Sequence, residues 1–227
     1  LHDANNLLSY PYAASQSLSD ALPDAVEDEV FAIVGEGVAS LNLGGGAWAG
    51  SLNGFDGGSG YWFARTAGSD DISFEYNAPS AGNARLTTTV LPEVPEAFRY
   101  AQSTEQSFYF VDSITLDGEA MTDNNWIIAY NDDVVVGARM WNGEYTDIPA
   151  MGSDSSTETA GYMELGGIPS FKLYNAITGS ITDLYVDGSV DGWTNNGVSI
   201  ITLSDMAPIP SVVALNNSYP NPFNPST

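Results

Sequence analysis

Carboxylates are the side chains of this sequence best supplied for chemistry. Asp and Glu number 29, Lys and Arg only 5, there is a single histidine, and cysteine is absent. The histidine, His2, stands at the very start, so a Ser-His-Asp or Cys-His relay has no usable imidazole. Thiol nucleophiles, disulfides and Cys-ligated zinc or iron–sulfur centres are excluded. Two acids held at a fixed separation can hydrolyse a glycoside. Most acids here, however, sit in turn-like contexts such as Asp70-Asp71 and Asp132-Asp133, where capping and solvation account for them. The residue chemistry predicts a protein that is not an enzyme.

Oxygen-rich stretches suit a hard cation instead. Asp183, Asp187 and Asp191 recur every four residues, and even spacing would put all three on one face of a strand. Asp117-Gly118-Glu119, followed by Asp123, Asn124 and Asn125, forms a second such loop. Ca²⁺ takes carboxylate and carbonyl oxygens of this kind. Neither stretch has EF-hand spacing, and Asx-turns explain the same residues. Gly44-Gly45-Gly46 lacks the lysine of a phosphate-cradling loop. Five tryptophans offer stacking surface for sugar rings. Trp62 and Trp126 lie in apolar runs and read as core. Trp141 and Trp193 stand beside Asn and Gly and are expected to be exposed, which makes them the candidates for a polysaccharide.

The net charge of −24 narrows the partners further. Phosphate backbones need basic patches, so a nucleic-acid partner is excluded, and an anionic membrane surface is disfavoured. No apolar run approaches the roughly 20 residues that span a bilayer. Such a surface repels itself unless cations neutralise it. Adaptation to salty water and specific Ca²⁺ sites both answer that need.

The elements that must position these residues read as strands. Leu7-Leu8-Ser9-Tyr10, Phe31-Ala32-Ile33-Val34, Tyr61-Trp62-Phe63 and Ile72-Ser73-Phe74-Glu75-Tyr76 fill the first part. Ser107-Phe108-Tyr109-Phe110-Val111, Trp126-Ile127-Ile128-Ala129-Tyr130, Val134-Val135-Val136, Phe171-Lys172-Leu173-Tyr174 and Val198-Ser199-Ile200-Ile201-Thr202-Leu203 fill the second. Short β-branched and aromatic runs separated by Gly, Asn and Asp predict an all-β chain. The expected architecture is two antiparallel β-sandwich-like modules in tandem. Residues 1–95 form the first, with one short helix over 15–22 and a Pro-rich link from 77 onward. Residues 96–206 form the second, and 207–227 an extended, proline-rich tail. A Trp-x-Gly in each part, at Trp48 and Trp141, and a later Gly-Tyr, at Gly60-Tyr61 and Gly161-Tyr162, hint at duplication, and convergent β-turn chemistry accounts for the same residues.

The tail carries a recognisable stretch. Tyr219-Pro220-Asn221-Pro222-Phe223-Asn224-Pro225-Ser226-Thr227 resembles the opening of the C-terminal sorting domain of type IX secretion substrates. The body resembles more loosely the β modules found upstream of such domains, at Asn6 to Pro11, Trp48-Ala49-Gly50, Gly60-Tyr61-Trp62 and Met151-Gly152-Ser153-Asp154. The resemblance implies export across the outer membrane of a Gram-negative bacterium, extracellular or cell-surface residence, and no known activity. A chain that begins at Leu1 is expected to be a mature form or a fragment, its export signal already removed.

Two functions fit. The first is a structural protein that self-associates into a fibre or sheath, its tail (Tyr219, Pro220, Pro222, Phe223) docking on the sheet edge of another copy. The alternative is a carbohydrate-binding or adhesive module of a larger secreted protein, working through Trp141 and Trp193.

Overall fold

Alternation and continuous apolar runs sort the strands of this chain into half-buried and fully buried ones, and the computed structural model shows which sheets bury them. It describes residues 1–79, 90–121 and 125–207. The chain is all-β. The first part contains β1 (Asn5–Ser9), β2 (Gln16–Ser17), α1 (Leu18–Ala21), α2 (Asp24–Glu27), β3 (Ala32–Val34), β4 (Ala39–Gly44), β5 (Ala47–Gly50), β6 (Gly54–Phe55) and β7 (Gly60–Ala64). The second contains β8 (Gln106–Leu116), β9 (Glu119–Ala120), β10 (Asn125–Asn131), β11 (Val134–Met140), β12 (Thr146–Met151), β13 (Ser170–Asn175), β14 (Ile181–Val186) and β15 (Val198–Ser204).

The first part builds a five-stranded sheet in the order β1-β7-β3-β4-β5. The second forms one path, β11-β10-β13-β14-β15-β8-β12, that folds over on itself at β14. The first four residues of β14 pair with β13 (Phe171 opposite Leu184), and its last two pair with β15 (Tyr185 opposite Ser204, Val186 opposite Leu203). The result is a sandwich of a β8/β12/β15 layer and a β10/β11/β13 layer. An isolated parallel bridge joins Gly152 and Met163. Among the described strands all pairings are antiparallel except β15 with β8, which run parallel. That pair departs from the purely antiparallel expectation. The long return from Asp187 to Gly197 brings the chain back to the start of β8, as a parallel neighbour requires.

β8 shows why these layers stack. Its residues 106–111 are buried without interruption. Tyr109 and Val111 enter the sandwich core with Ile127, Ala129, Ile148 and Leu203. Phe108 and Phe110, on the opposite face, pack with Ala32, Val34, Ala39, Leu41 and Ala64 of the five-stranded sheet. A strand covered on both faces reads as a continuous apolar run and not as an alternation. The five-stranded sheet turns its other face to α1, α2 and the aromatic group of Tyr10, Phe55, Tyr61 and Phe63. At the far side, residues 94–100 strap the outer face of β10 and β11, with Phe98 and Trp126 buried together and the Phe98 ring 4.8 Å from Tyr174. β11 and β12 meet closely enough that a Cβ on Gly137 would run into the Pro149 carbonyl, so glycine is required there.

Two local expectations change. The helix foreseen over 15–22 is a single turn, Leu18–Ala21, capped by the Ser17 hydroxyl, which accepts from Asp20 N at 3.1 Å. Residues 16 and 17 pair instead with β6. Pro23 forces Leu22 into extended backbone (ψ 137°) and a second turn starts after it. Residues 72–76 alternate in burial as their sequence does, yet they pair with no strand. Ile72 and Leu1 bond backbone to backbone, Asn77 N donates to Ala21 O, and Phe74 and Tyr76 cap the aromatic core.

Candidate functional site

The foreseen tryptophan platform is corrected by burial. Trp141 and Trp193 are 7% and 3% exposed and belong to the sandwich core. Gly192, beside Trp193, packs against the Gly166 backbone, whereas Gly143, near Trp141, faces open space at positive φ. Gly152 leaves room that the Trp193 ring fills, Trp193 Nε1 donates to Ala150 O at 2.8 Å, and its backbone bonds both ways with residues 166 and 167. Neither indole has a free face for a sugar. Trp126 is buried as foreseen, and Trp62 is half-buried against the Phe108 cluster.

The aspartates of the foreseen metal face do not share one. Asp183 lies in β14, whereas Asp187 and Asp191 lie beyond its end. Asp183 pairs with Lys172 at 2.9 Å, and the Asp187 backbone N–H donates to Thr202 O. Asp117 sits at positive φ in the β8–β9 turn, its N–H bonded to Asp205 Oδ2 at 2.9 Å, and Asp123 lies outside the described residues. Among the described residues no three His, Cys, Asp or Glu side chains gather as a metal cluster. Tyr219, Pro220, Pro222 and Phe223 also lie outside the described residues. Among the described residues, no helix is long and apolar enough to cross a membrane.

The most chemically concentrated place joins the two parts. Arg139 on β11 and Asp147 on β12 form an ion pair at 3.1 Å with side chains 9% and 2% exposed. Asp147 Oδ2 also accepts from Ser51 Oγ at 2.6 Å and from Ala39 N at 3.3 Å. Arg139 donates to Asp147 O at 2.9 Å and to Gly37 O at 2.8 Å. Beside them Gln106 accepts from Gly37 N at 2.9 Å and donates to Gly35 O at 2.6 Å. Burial pushes the Asp147 carboxyl above its ordinary value, against the pull of Arg139 and the Ser51 hydroxyl. A buried charge with this many partners fixes a docking geometry. Asp147 Oδ2 is already bonded three ways, to Arg139, the Ser51 hydroxyl and the Ala39 N–H. The sequence held one signal of the seam: Arg139 is one of five cations and stands in an apolar strand, where an unpaired charge is untenable.

The remaining described cations are engaged as well. Arg65 pairs with Glu29 at 3.0 Å, and Arg99 pairs with Glu93. The surplus charge of the surface is therefore carboxylate. What the surface offers besides charge is strand edges. β1 and β5 end the five-stranded sheet. Among the described residues, β15 is covered on its β14 side only at Leu203 and Ser204, plus the Asp187 bond to Thr202, and no strand pairs there with its first half. Exposed Leu7 on β1 and Ile200 on β15 stand at these edges.

No protein-family model, curated protein or solved structure matches this chain.

Proposed function

We propose that this is a non-enzymatic, exported surface protein that self-associates through its β edges, as the subunit of an extracellular fibre or sheath. The observation that carries the reading is the combination of open edges with exposed apolar side chains, Leu7 at 60% and Ile200 at 55%, on a surface otherwise dominated by acids. A row of unpaired backbone donors and acceptors is a template for another strand. The buried seam supports the same reading, because an ion pair bonded to both layers holds them as one building block. The likeness of residues 219–227 to a sorting-domain opening supports export.

Sedimentation velocity and negative-stain electron microscopy at high salt test this. Species that grow with protein concentration are expected, because carboxylate repulsion is screened while edge pairing is not. A monomer at every concentration and salt level overturns the reading. Turnover of any substrate traced to the carboxylates of this chain overturns its non-enzymatic part.

A further inference from the structure

The half-covered edge of β15 is specific enough to assign an occupant. β15 runs parallel to β8 with Val198 opposite Phe108 and Ile200 opposite Phe110. Phe108 N donates to Gly197 O. In a parallel ladder the next residue of the same phase, Ser199, then also faces β8. The N–H and C=O groups of Val198 and Ile200 consequently point away from β8, to the side where β14 would lie. β14 stops short: it pairs with Leu203 and Ser204, bonds Thr202 through Asp187, and leaves. Among the described residues no strand pairs with residues 198–201 on that side.

The same place is an unfinished piece of core. Register neighbours share a face, so Val198 and Ile200 lie on the side of Phe108 and Phe110, toward the five-stranded sheet. Val198 packs there, whereas Ile200 is 55% exposed. On the opposing sheet Leu7 is opposite Trp62 and Trp62 opposite Val34, which puts Leu7 on the matching face at the outer edge, 60% exposed. Asn5 Nδ2 lies 3.5 Å from Asn196 O and holds the two edges together. An added strand at residues 198–201 would complete a ladder and cover the apolar rim at once.

Resting on the self-association reading above, we propose that residues 212–215 (Val212-Val213-Ala214-Leu215) of a second copy add as a strand to this half-edge. The run is β-branched and apolar, and it lies between Pro210 and Pro220, which cannot donate to a ladder. A tight hairpin within the same chain does not supply it. A hairpin back along β15 would put Val212 and Val213 where Tyr185 and Val186 already pair with Ser204 and Leu203. Charge favours the match as well, since the run carries no carboxylate toward an acidic body. Each copy both gives a strand and receives one, so contacts propagate head to tail.

The absence of cysteine makes a clean test possible. Full-length Ile200→Cys and Val213→Cys variants are mixed and oxidised, with Ile177→Cys, at the exposed β13–β14 turn, as the control partner for Val213→Cys. Disulfide-linked heterodimers from the Ile200 mixture, and their absence from the Ile177 mixture, are expected. Equal cross-linking in both overturns the inference. So does assembly without the Ile200 cross-link, which leaves self-association standing. A protein that neither assembles nor cross-links overturns both. Ile200→Pro removes an N–H that faces away from β8, so the variant should keep its circular dichroism and lose assembly. Unchanged assembly of the folded Ile200→Pro variant overturns the proposal.

Discussion

Two ion pairs in this chain have similar distances and opposite surroundings. Arg139 and Asp147 meet at 3.1 Å between the layers, with side chains 9% and 2% exposed. Lys172 and Asp183 meet at 2.9 Å on the outside, 37% and 60% exposed. Distance does not separate them, but dielectric does. Water screens the outer pair, and its long side chains lose rotamer freedom to form it. The inner pair sits where an unpartnered charge is costly, so each member depends on the other. In a chain with 5 cations for 29 acids, Arg139 holds the layers together and Arg65 is buried against Glu29, while Arg99 and Lys172 stand on the outside. Structural integrity is concentrated at the seam, and the exterior is left as a field of like charge.

The strongest break of that contrast is Asp147→Ala. It leaves Arg139 buried with two of its three hydrogen bonds but without its counter-charge, and takes the carboxylate acceptor from the Ser51 hydroxyl and the Ala39 N–H. Loss of one member of a buried pair costs about 3–5 kcal/mol, so urea unfolding should show a large fall in midpoint. The double variant Arg139→Met/Asp147→Ala should recover a substantial part, because the stranded charge goes too. A double variant as unstable as the sum of the singles would mean the pair acts only through packing.

Next comes salt. With a net charge of −24, self-repulsion destabilises the folded body at low ionic strength. Raising salt toward about 1 M shrinks the screening length to roughly 3 Å, and the thermal midpoint should rise. The Asp147→Ala difference should stay nearly constant across the series, since a dry seam is poorly screened. If the whole difference followed salt, the seam would be wet.

The same division between inside and outside decides what the sequence made legible. The apolar run of β8 announced a strand, and its lack of alternation was the sign of a layer on each side. Residues 72–76 alternated truly, but alternation reports faces and not ladder partners, so a packed extended segment reads like a strand. Trp141 and Trp193 misled because Asn and Gly neighbours suggest loops, and loops suggest exposure; here glycine makes room for an indole. Asp183, Asp187 and Asp191 share a spacing but not a strand, since β14 ends at Val186. Arg139 alone hinted at the seam; Ser51 and Ala39 come from the distant first part, and only the folded layers bring them to Asp147.

A smaller effect is expected from Lys172→Ala. The Asp183 hydrogen bond and charge hold the Lys172 ammonium pKa above its ordinary value. Exposed pairs nonetheless contribute little and fade with salt. The unfolding midpoint should barely move at low salt and not at all at high salt. A loss comparable with Asp147→Ala would erase the distinction between the two pairs.

The finest probe sets Asp147 against a second aspartate, Asp154, whose pKa shifts the other way. Asp154 is solvent-facing and accepts from Thr159 Oγ1 at 2.7 Å, Ser156 N at 3.0 Å and Thr104 N at 3.4 Å. These bonds hold its carboxyl below the ordinary value, the Thr159 hydroxyl most of all. Its contribution to stability is therefore present above the unfolded carboxylate value of about 3.9 and is lost as pH falls through the lower folded value. Asp147 has the raised value, so its contribution is present at acid pH and declines as pH rises through that value. Protonating the other acids relieves repulsion and would mask both in the raw curves. Subtracting each Asn variant's stability from the parent's across an acid titration removes that common background. The Asp154→Asn difference should grow with rising pH and the Asp147→Asn difference should shrink. Slopes of the same sign would show that burial does not outweigh Arg139 at the seam, and that the inner carboxylate is held as comfortably ionised as the outer one.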